Sequence, residues 1–153
     1  VLSSMKVGFT VRRIEEDDLR NGFFQTLSNL TEVGEISNDL EKAKGIFHKI
    51  KSNSLYNILV AVKDDGEIIG AATLLLEQKF IHDGGNVGHI EDIVTKKGYE
   101  RMGVGSTLVQ ASVELARKNN CYKVILDCAE KNVVFFEKVG FRRHGILMRY
   151  DIK

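Results

Sequence analysis

Two glycines, Gly103 and Gly105, stand where an amphipathic segment begins, with Val104, Leu108, Ala111 and Leu115 at helical spacing. Glycine lets a backbone approach another group closely, and the first amides of a helix have no internal partners. The pair therefore marks either a seat for an anion, a phosphate above all, or a tight turn with no ligand. It is no Walker A loop, because GxxxxGK[ST] is absent, and no dinucleotide fingerprint, because GxGxxG is absent and no early strand precedes it. Just upstream, the carboxylates Glu91 and Asp92 are neighbours in the run Gly88 to Thr95, which reads as a strand. Strand alternation sends their side chains to opposite faces, so different work is expected of them. The only cysteines, Cys121 and Cys128, both fall in CYKVILDC, read as another strand. There they would lie roughly 23 Å apart, whereas a disulfide needs Cα atoms within about 7 Å. Two reduced thiols are expected, and no metal site, since no CxxC or HxxH spacing occurs.

Those groups need a scaffold, and its elements are legible in order. A short alternating run, Phe9 to Ile14, predicts a first strand; the acidic stretch Glu15 to Asp18 then suits a helix N-terminus, with the helix running to about Leu27. Leu30 to Gly34 is loop-like. A second helix is expected from near Asn38, with Glu41 three residues on and Leu40, Ala43, Phe47 and Ile50 on one stripe. Asn57 to Val62 and Ile68 to Leu76 are β-rich runs joined by KDDGE, a hairpin signal. After a glycine-rich break at His82 to Gly88 come the strand, glycine turn and helix described above. Tyr122 to Cys128 predicts a fifth strand, Asn132 to Val139 a short helix closed by Gly140, and the alternating Ile146, Met148, Tyr150 and Ile152 a last strand. A hairpin early and a βαβα alternation late predict an α+β fold, a mixed and mostly antiparallel sheet flanked by helices. The cleft is expected where the sheet opens around the glycine turn.

Composition narrows the function classes. The 153 residues, 43% hydrophobic and 28% charged, suit a single domain. With 22 Lys and Arg against 21 Asp and Glu, the net charge of +1 offers no basic field for nucleic acid. The longest apolar runs fall far short of the roughly 20 residues that span a bilayer. No basic region followed by an apolar stretch opens the chain, so a cytoplasmic location is expected, with Met5 as the natural start and Val1 to Ser4 foreign to it.

The segment Glu100 to Gly105, ERMGVG, resembles the [Q/R]xxGx[G/A] pyrophosphate loop of the GNAT superfamily of acetyl-CoA-dependent N-acetyltransferases. Within it, four blocks in order are similar to the glucosamine 6-phosphate N-acetyltransferase family: LTEVG at Leu30 to Gly34, KFIH at Lys79 to His82, GHIEDIV at Gly88 to Val94, and CYKVILDC followed by EKNVVFFEKVGF. They extend the likeness from the first strand to Phe141.

The resemblance implies a GNAT-type sheet and acetyl transfer from acetyl-CoA to the 2-amino group of glucosamine 6-phosphate, a step towards UDP-N-acetylglucosamine. Main-chain amides of Arg101, Met102, Gly103, Val104, Gly105 and Ser106 would hold the coenzyme pyrophosphate. Ile93 and Val94 would pair with the pantetheine arm like an added strand. Asn132, Phe136 and Lys138 are further coenzyme contacts by likeness. Asn132 is otherwise a helix cap, and Phe135 and Phe136 are otherwise core residues. Glu91, Asp92 and Asp127 would bind the sugar and take the proton its ammonium must lose before it can attack a thioester, while a strand amide such as that of Ile93 stabilises the oxyanion. Thr31, Lys79, Phe80, Ile81 and His82 match positions at the sugar phosphate, Lys123 would add positive charge, and Arg149 is the nearest candidate for the basic tail residue that helps hold the phosphate in relatives. His89 reads as a supporting hydrogen-bond partner. Transfer would be direct, in a ternary complex, since Cys128 has no nearby His and reads as a small core residue. Two departures stand out: Phe136 replaces a tyrosine whose hydroxyl serves the departing thiolate, and Glu100 replaces Gln or Arg. Family members are homodimers whose last strand contributes across the interface. Acetylation of another small amine and noncatalytic acyl-CoA binding are the competing readings.

Overall fold

The computed structural model describes residues 7–152; the expected start at Met5 lies outside them. Five strands, β1 (Phe9–Arg13), β2 (Tyr56–Lys63), β3 (Ile68–Gln78), β4 (Asn86–Thr95) and β5 (Cys121–Ile125), form one sheet in sequence order. The first four are antiparallel neighbours, and β5 runs parallel to β4 because helix α4 (Val104–Lys118) carries the chain back across the sheet. The KDDGE turn closes the β2–β3 hairpin, with Lys63 donating its amide to the Glu67 carbonyl at 2.9 Å and Gly66 at φ 92°.

Helices cover both faces. On one, α1 (Phe23–Leu27) and α2 (Leu40–Lys51) bury Phe23, Ala43 and Phe47 against Val60, Val62, Ile68, Ala71 and Val94. On the other, α4 packs Val104 and Leu108 on Leu59, Ala61, Ile69 and Ala72, while Val109 and Ala116 join Leu74, Leu76, Ile90 and Phe136 of α5 (Val133–Lys138). The mixed, mostly antiparallel sheet flanked by helices is the expected architecture.

Four elements differ from expectation. The helix read from Glu15 to Leu27 breaks into a 3-10 turn, Glu16–Arg20, and α1. Between them the chain docks on β3: Ile68 donates its amide to the Asn21 carbonyl at 2.8 Å, and a Cβ on Gly22 would lie 3.2 Å from the Ile68 carbonyl oxygen. Only a residue without a side chain passes there, and Gly22 does so at φ 98°. The cap of α2 is Asp39 and not Asn38, its carboxylate accepting from the Lys42 amide at 3.0 Å.

The fifth strand stops at Ile125, so Asp127 and Cys128 lie beyond it. The strand spacing used to keep the cysteines apart therefore does not apply to Cys128, which is exposed and no core residue. Finally, the segment from Ile146 to Ile152 forms no strand within the described chain. Its apolar side chains stand in solvent, Ile146 at 91% and Met148 at 88% exposure. Alternation predicts a strand only where an edge is offered to it, and none of this chain's edges meets the tail.

Candidate active site

The loop between β4 and α4 turns three times through the left-handed region, at Gly98 (φ 96°), Arg101 (φ 62°) and Gly103 (φ 84°). The first bond of the helix runs from the Thr107 amide to the Gly103 carbonyl at 3.0 Å. The Ser106 and Thr107 hydroxyls donate to that same carbonyl, at 3.1 and 2.7 Å. The amides from Arg101 to Ser106 are thus left without an acceptor among the described residues. Positive helix-end potential and converging N–H groups make this an anion seat. Space lies open in front of Gly103, where an added Cβ would meet nothing within 4 Å. Val104 contributes only its amide, since its side chain is core. One wall is Phe135 of α5, whose ring lies 3.3 Å from where a Gly105 Cβ would be.

Glu100 keeps its negative charge beside this seat, held by backbone amides. Its carboxylate accepts from the Gly98 amide at 2.6 Å, and that bond and its own amide hold its pKa below the ordinary range.

Beside the loop the sheet opens. Pairing of β4 with β5 ends at His89 and Ile125, which frees the edge of β4 from Ile90 to Thr95. A bulge sits in that stretch: Asp92 is left-handed at φ 50°, and the register with β3 slips between Ala71 and Thr73. The cores record the switch, because Ile90 packs towards α4 while Val94 packs towards α1 and α2. The unbroken alternation expected at Glu91 and Asp92 therefore fails, and both carboxylates are exposed at the bend. Exposed overall, the Glu91 carboxylate is still partly desolvated by its neighbours, which raises its pKa; the charges of Asp127 and Asp92 raise it further, and His89 opposes them. Asp127 reaches this group from the segment past β5.

Other expected residues are placed less uniformly. Lys79 pairs with Glu77 at 2.9 Å, and Glu77 also meets His89 Nε2 at 2.8 Å, the supporting bond read for His89. Phe80 and Ile81 point into solvent, and His82 stacks on Tyr122 with centroids 3.9 Å apart. The Lys123 ammonium lies 5.8 Å from that tyrosine ring. Thr31 is exposed in the loop after α1, which Asn29 ties to the end of β4 by a 2.7 Å bond to the Thr95 carbonyl. Lys79 to His82 and Thr31 hence flank opposite ends of a 10-residue strand, roughly 30 Å long. Arg149 bonds to neither; it pairs with Asp151 at 2.7 Å in the exposed tail. Asn132 stands at the N-cap position of α5, as read, though its side chain makes no cap bond, and Lys138 is exposed on α5. Phe136 is core at 6% exposure, while Phe135 reaches the surface.

Glu77 and Tyr122 carried no signal in the sequence. Glu77 meets His89 only through the β3–β4 register, and Tyr122 is the extra residue where β5 slips against β4.

The acetyltransferase (GNAT) family matches residues 18–141. The chain is 38% identical to glucosamine 6-phosphate N-acetyltransferase of Candida albicans, over 92% of this chain and 94% of that protein. It is 36% identical to the enzyme of that name from Trypanosoma brucei brucei, over 95% and 97%. The crystal structure of glucosamine-6-phosphate N-acetyltransferase from Arabidopsis thaliana superposes with a TM-score of 0.88 at 31% identity, covering 95% of this chain and 99% of that one.

Proposed function

Because the chain belongs to the GNAT acetyltransferase family, we propose that it transfers acetyl from acetyl-CoA to the 2-amino group of D-glucosamine 6-phosphate. The observation that carries this is the junction on β4: a bulge presenting Glu91 and Asp92 on the edge that leads to the free amides of α4. Acetyl-CoA brings a thioester whose carbonyl is open to an amine and whose thiolate departs.

The chain's residues supply the rest. Amides from Arg101 to Ser106 take the pyrophosphate, and the unpaired edge at Ile93 and Val94 aligns the pantetheine arm. The Ile93 amide donates to the carbonyl oxygen as charge develops on it. Glu91, its pKa raised, accepts the proton of the sugar ammonium, directly or through water, while Asp92 and Asp127 orient the amine. The nitrogen then bonds to the acetyl carbon, the carbon–sulfur bond breaks, and the second proton the nitrogen sheds passes through water to the departing thiolate, since Phe136 has no hydroxyl to lend.

The sugar phosphate requires cations that one protomer holds apart. Lys79 to His82 and Thr31 flank opposite ends of β4, and Arg149, paired with Asp151, lies on a tail that makes no backbone bond to another element among the described residues. A homodimer that seats each tail on the other protomer supports a complete phosphate site and covers Ile146 to Ile152. A cytoplasmic setting suits this chemistry; no helix among the described residues is long and apolar enough to cross a membrane.

The test is thiol release from acetyl-CoA with glucosamine 6-phosphate, beside glucosamine and beside Glu91→Ala and Asp92→Ala. Turnover that needs the phosphate and falls in both variants is expected. Coenzyme binding without turnover of the sugar phosphate overturns the assignment.

A further inference from the structure

The connection from β3 to β4 holds an unusual backbone. In the single turn α3 (Ile81–Gly84), three successive residues are left-handed: His82 at φ 51°, Asp83 at φ 59° and Gly84 at φ 73°. Two of them carry side chains that disfavour this region, and such strain persists only where surroundings impose it. The neck of the turn is clamped, with the Lys79 amide on the Gly85 carbonyl at 2.9 Å and Gln78 donating to the carbonyls of Lys79 and Gly84 at 3.0 and 2.7 Å. What faces the strained residues is Tyr122. Its ring stacks on His82 at 3.9 Å with an interplanar angle of 26°. Gly85 lies against the same ring, so closely that a Cβ there would be 2.7 Å from Tyr122 Cδ1. The bulge at the start of β5 is what turns this ring towards the connection. Meanwhile the Tyr122 hydroxyl is buried and has no hydrogen-bond partner among the described residues. A tyrosine whose hydroxyl bonds to nothing serves through its ring face.

We propose that Tyr122 is a positioning residue for the sugar phosphate: its ring is the platform that holds Lys79 to His82 in the left-handed turn. The inference rests on the reading of that segment as a substrate contact. By it, the ring fixes the direction in which Lys79, Phe80 and Ile81 are presented, and the hydroxyl is dispensable.

Tyr122→Leu, Tyr122→Phe and Gly85→Ala decide it, each compared with the wild type in steady-state kinetics and in trypsin cleavage after Lys79. Loss of one aromatic stack raises the KM for glucosamine 6-phosphate about three- to tenfold in Tyr122→Leu. Gly85→Ala, which pushes the turn off the ring, behaves likewise. In both, kcat and the KM for acetyl-CoA stay within about twofold, because the loop orders the sugar and not the reacting bond. Cleavage after Lys79 speeds up, and Tyr122→Phe matches the wild type in every readout. A wild-type KM and cleavage rate in Tyr122→Leu overturn the proposal, as does a Tyr122→Phe as impaired as Tyr122→Leu. Equal losses in both KM values and in kcat also overturn it, since they signal general damage. If the wild type fails to turn over the sugar phosphate, the substrate reading falls. Cleavage then decides the platform by itself: faster in Tyr122→Leu and Gly85→Ala but not in Tyr122→Phe sustains it, and equal rates end it.

Discussion

In the proposed mechanism Glu91 takes a proton, and its surroundings give its charge an electrostatic cost. Its folded pKa is raised by partial desolvation, then by Asp127 and Asp92, so the ionised form is the less comfortable one. A carboxyl with a raised folded pKa contributes stability that is present below its unfolded pKa and lost as pH rises through the folded one. At neutral pH the Glu91 charge therefore weakens the fold. Glu91→Gln is expected to melt at or above the wild-type temperature at pH 7 to 8 and together with it in acid, while kcat/KM falls about a hundredfold or more. Thermal melts across pH and thiol-release assays check the two halves, and a variant less stable at neutral pH contradicts the assignment of strain to this group. In the wild type the acid limb of the rate profile should lie above the range of an ordinary carboxylate. The pairing of Glu91 with Asp92 was visible as two adjacent letters. The bulge that brings both to the bend was not, because it is a register slip against β3 and belongs to two strands together.

The element proposed to bind the cofactor works through its backbone. Gly103 caps α4 at φ 84° with open space where a side chain would go, so Gly103→Ala meets conformational strain and no clash. It should lose about 1 kcal/mol in urea denaturation. The KM for acetyl-CoA should rise more than the KM for the sugar, because the displaced amides belong to the pyrophosphate seat. An unchanged acetyl-CoA KM would remove these amides from the reading. The glycine turn and the helix after it were plain in the sequence, since φ-permissive residues and a helical apolar stripe are local signals. Two other elements were not. The helix expected over Glu15 to Leu27 breaks because Asn21 and Gly22 must touch β3, a contact 47 residues away along the chain from Asn21 to Ile68. The strand through Cys128 ends early because β4 bends away at Asp92, and a strand exists only as far as its partner.

For the whole molecule the open question is the tail. Arg143 is anchored to Glu130 at 3.1 Å, and beyond it Ile146, Leu147, Met148, Tyr150 and Ile152 are almost bare. So much contiguous apolar surface marks an association site. The full chain should sediment as a dimer. On the proposed dimer, a chain ending at Arg143 should keep its fold, sediment as a monomer and lose turnover of the sugar phosphate, because Arg149 is removed and no second protomer stands beside the site. A full-length monomer with full activity would remove the dimer from the proposal.

From the sequence by itself came the order of the strands, both helical stripes, the glycine seat and the family likeness, all carried by residues close together in the chain. Apolar periodicity and glycine placement act locally, so they can be read locally. The tertiary structure alone decided which groups meet: Asp127 with Glu91, Glu77 with His89, Tyr122 with His82, and Phe135 at the wall of the anion seat. Each depends on strand register, on a bulge or on the splay between β4 and β5. Those are properties of pairs of segments, fixed by the packing of side chains far apart in sequence, and no single stretch of residues encodes them.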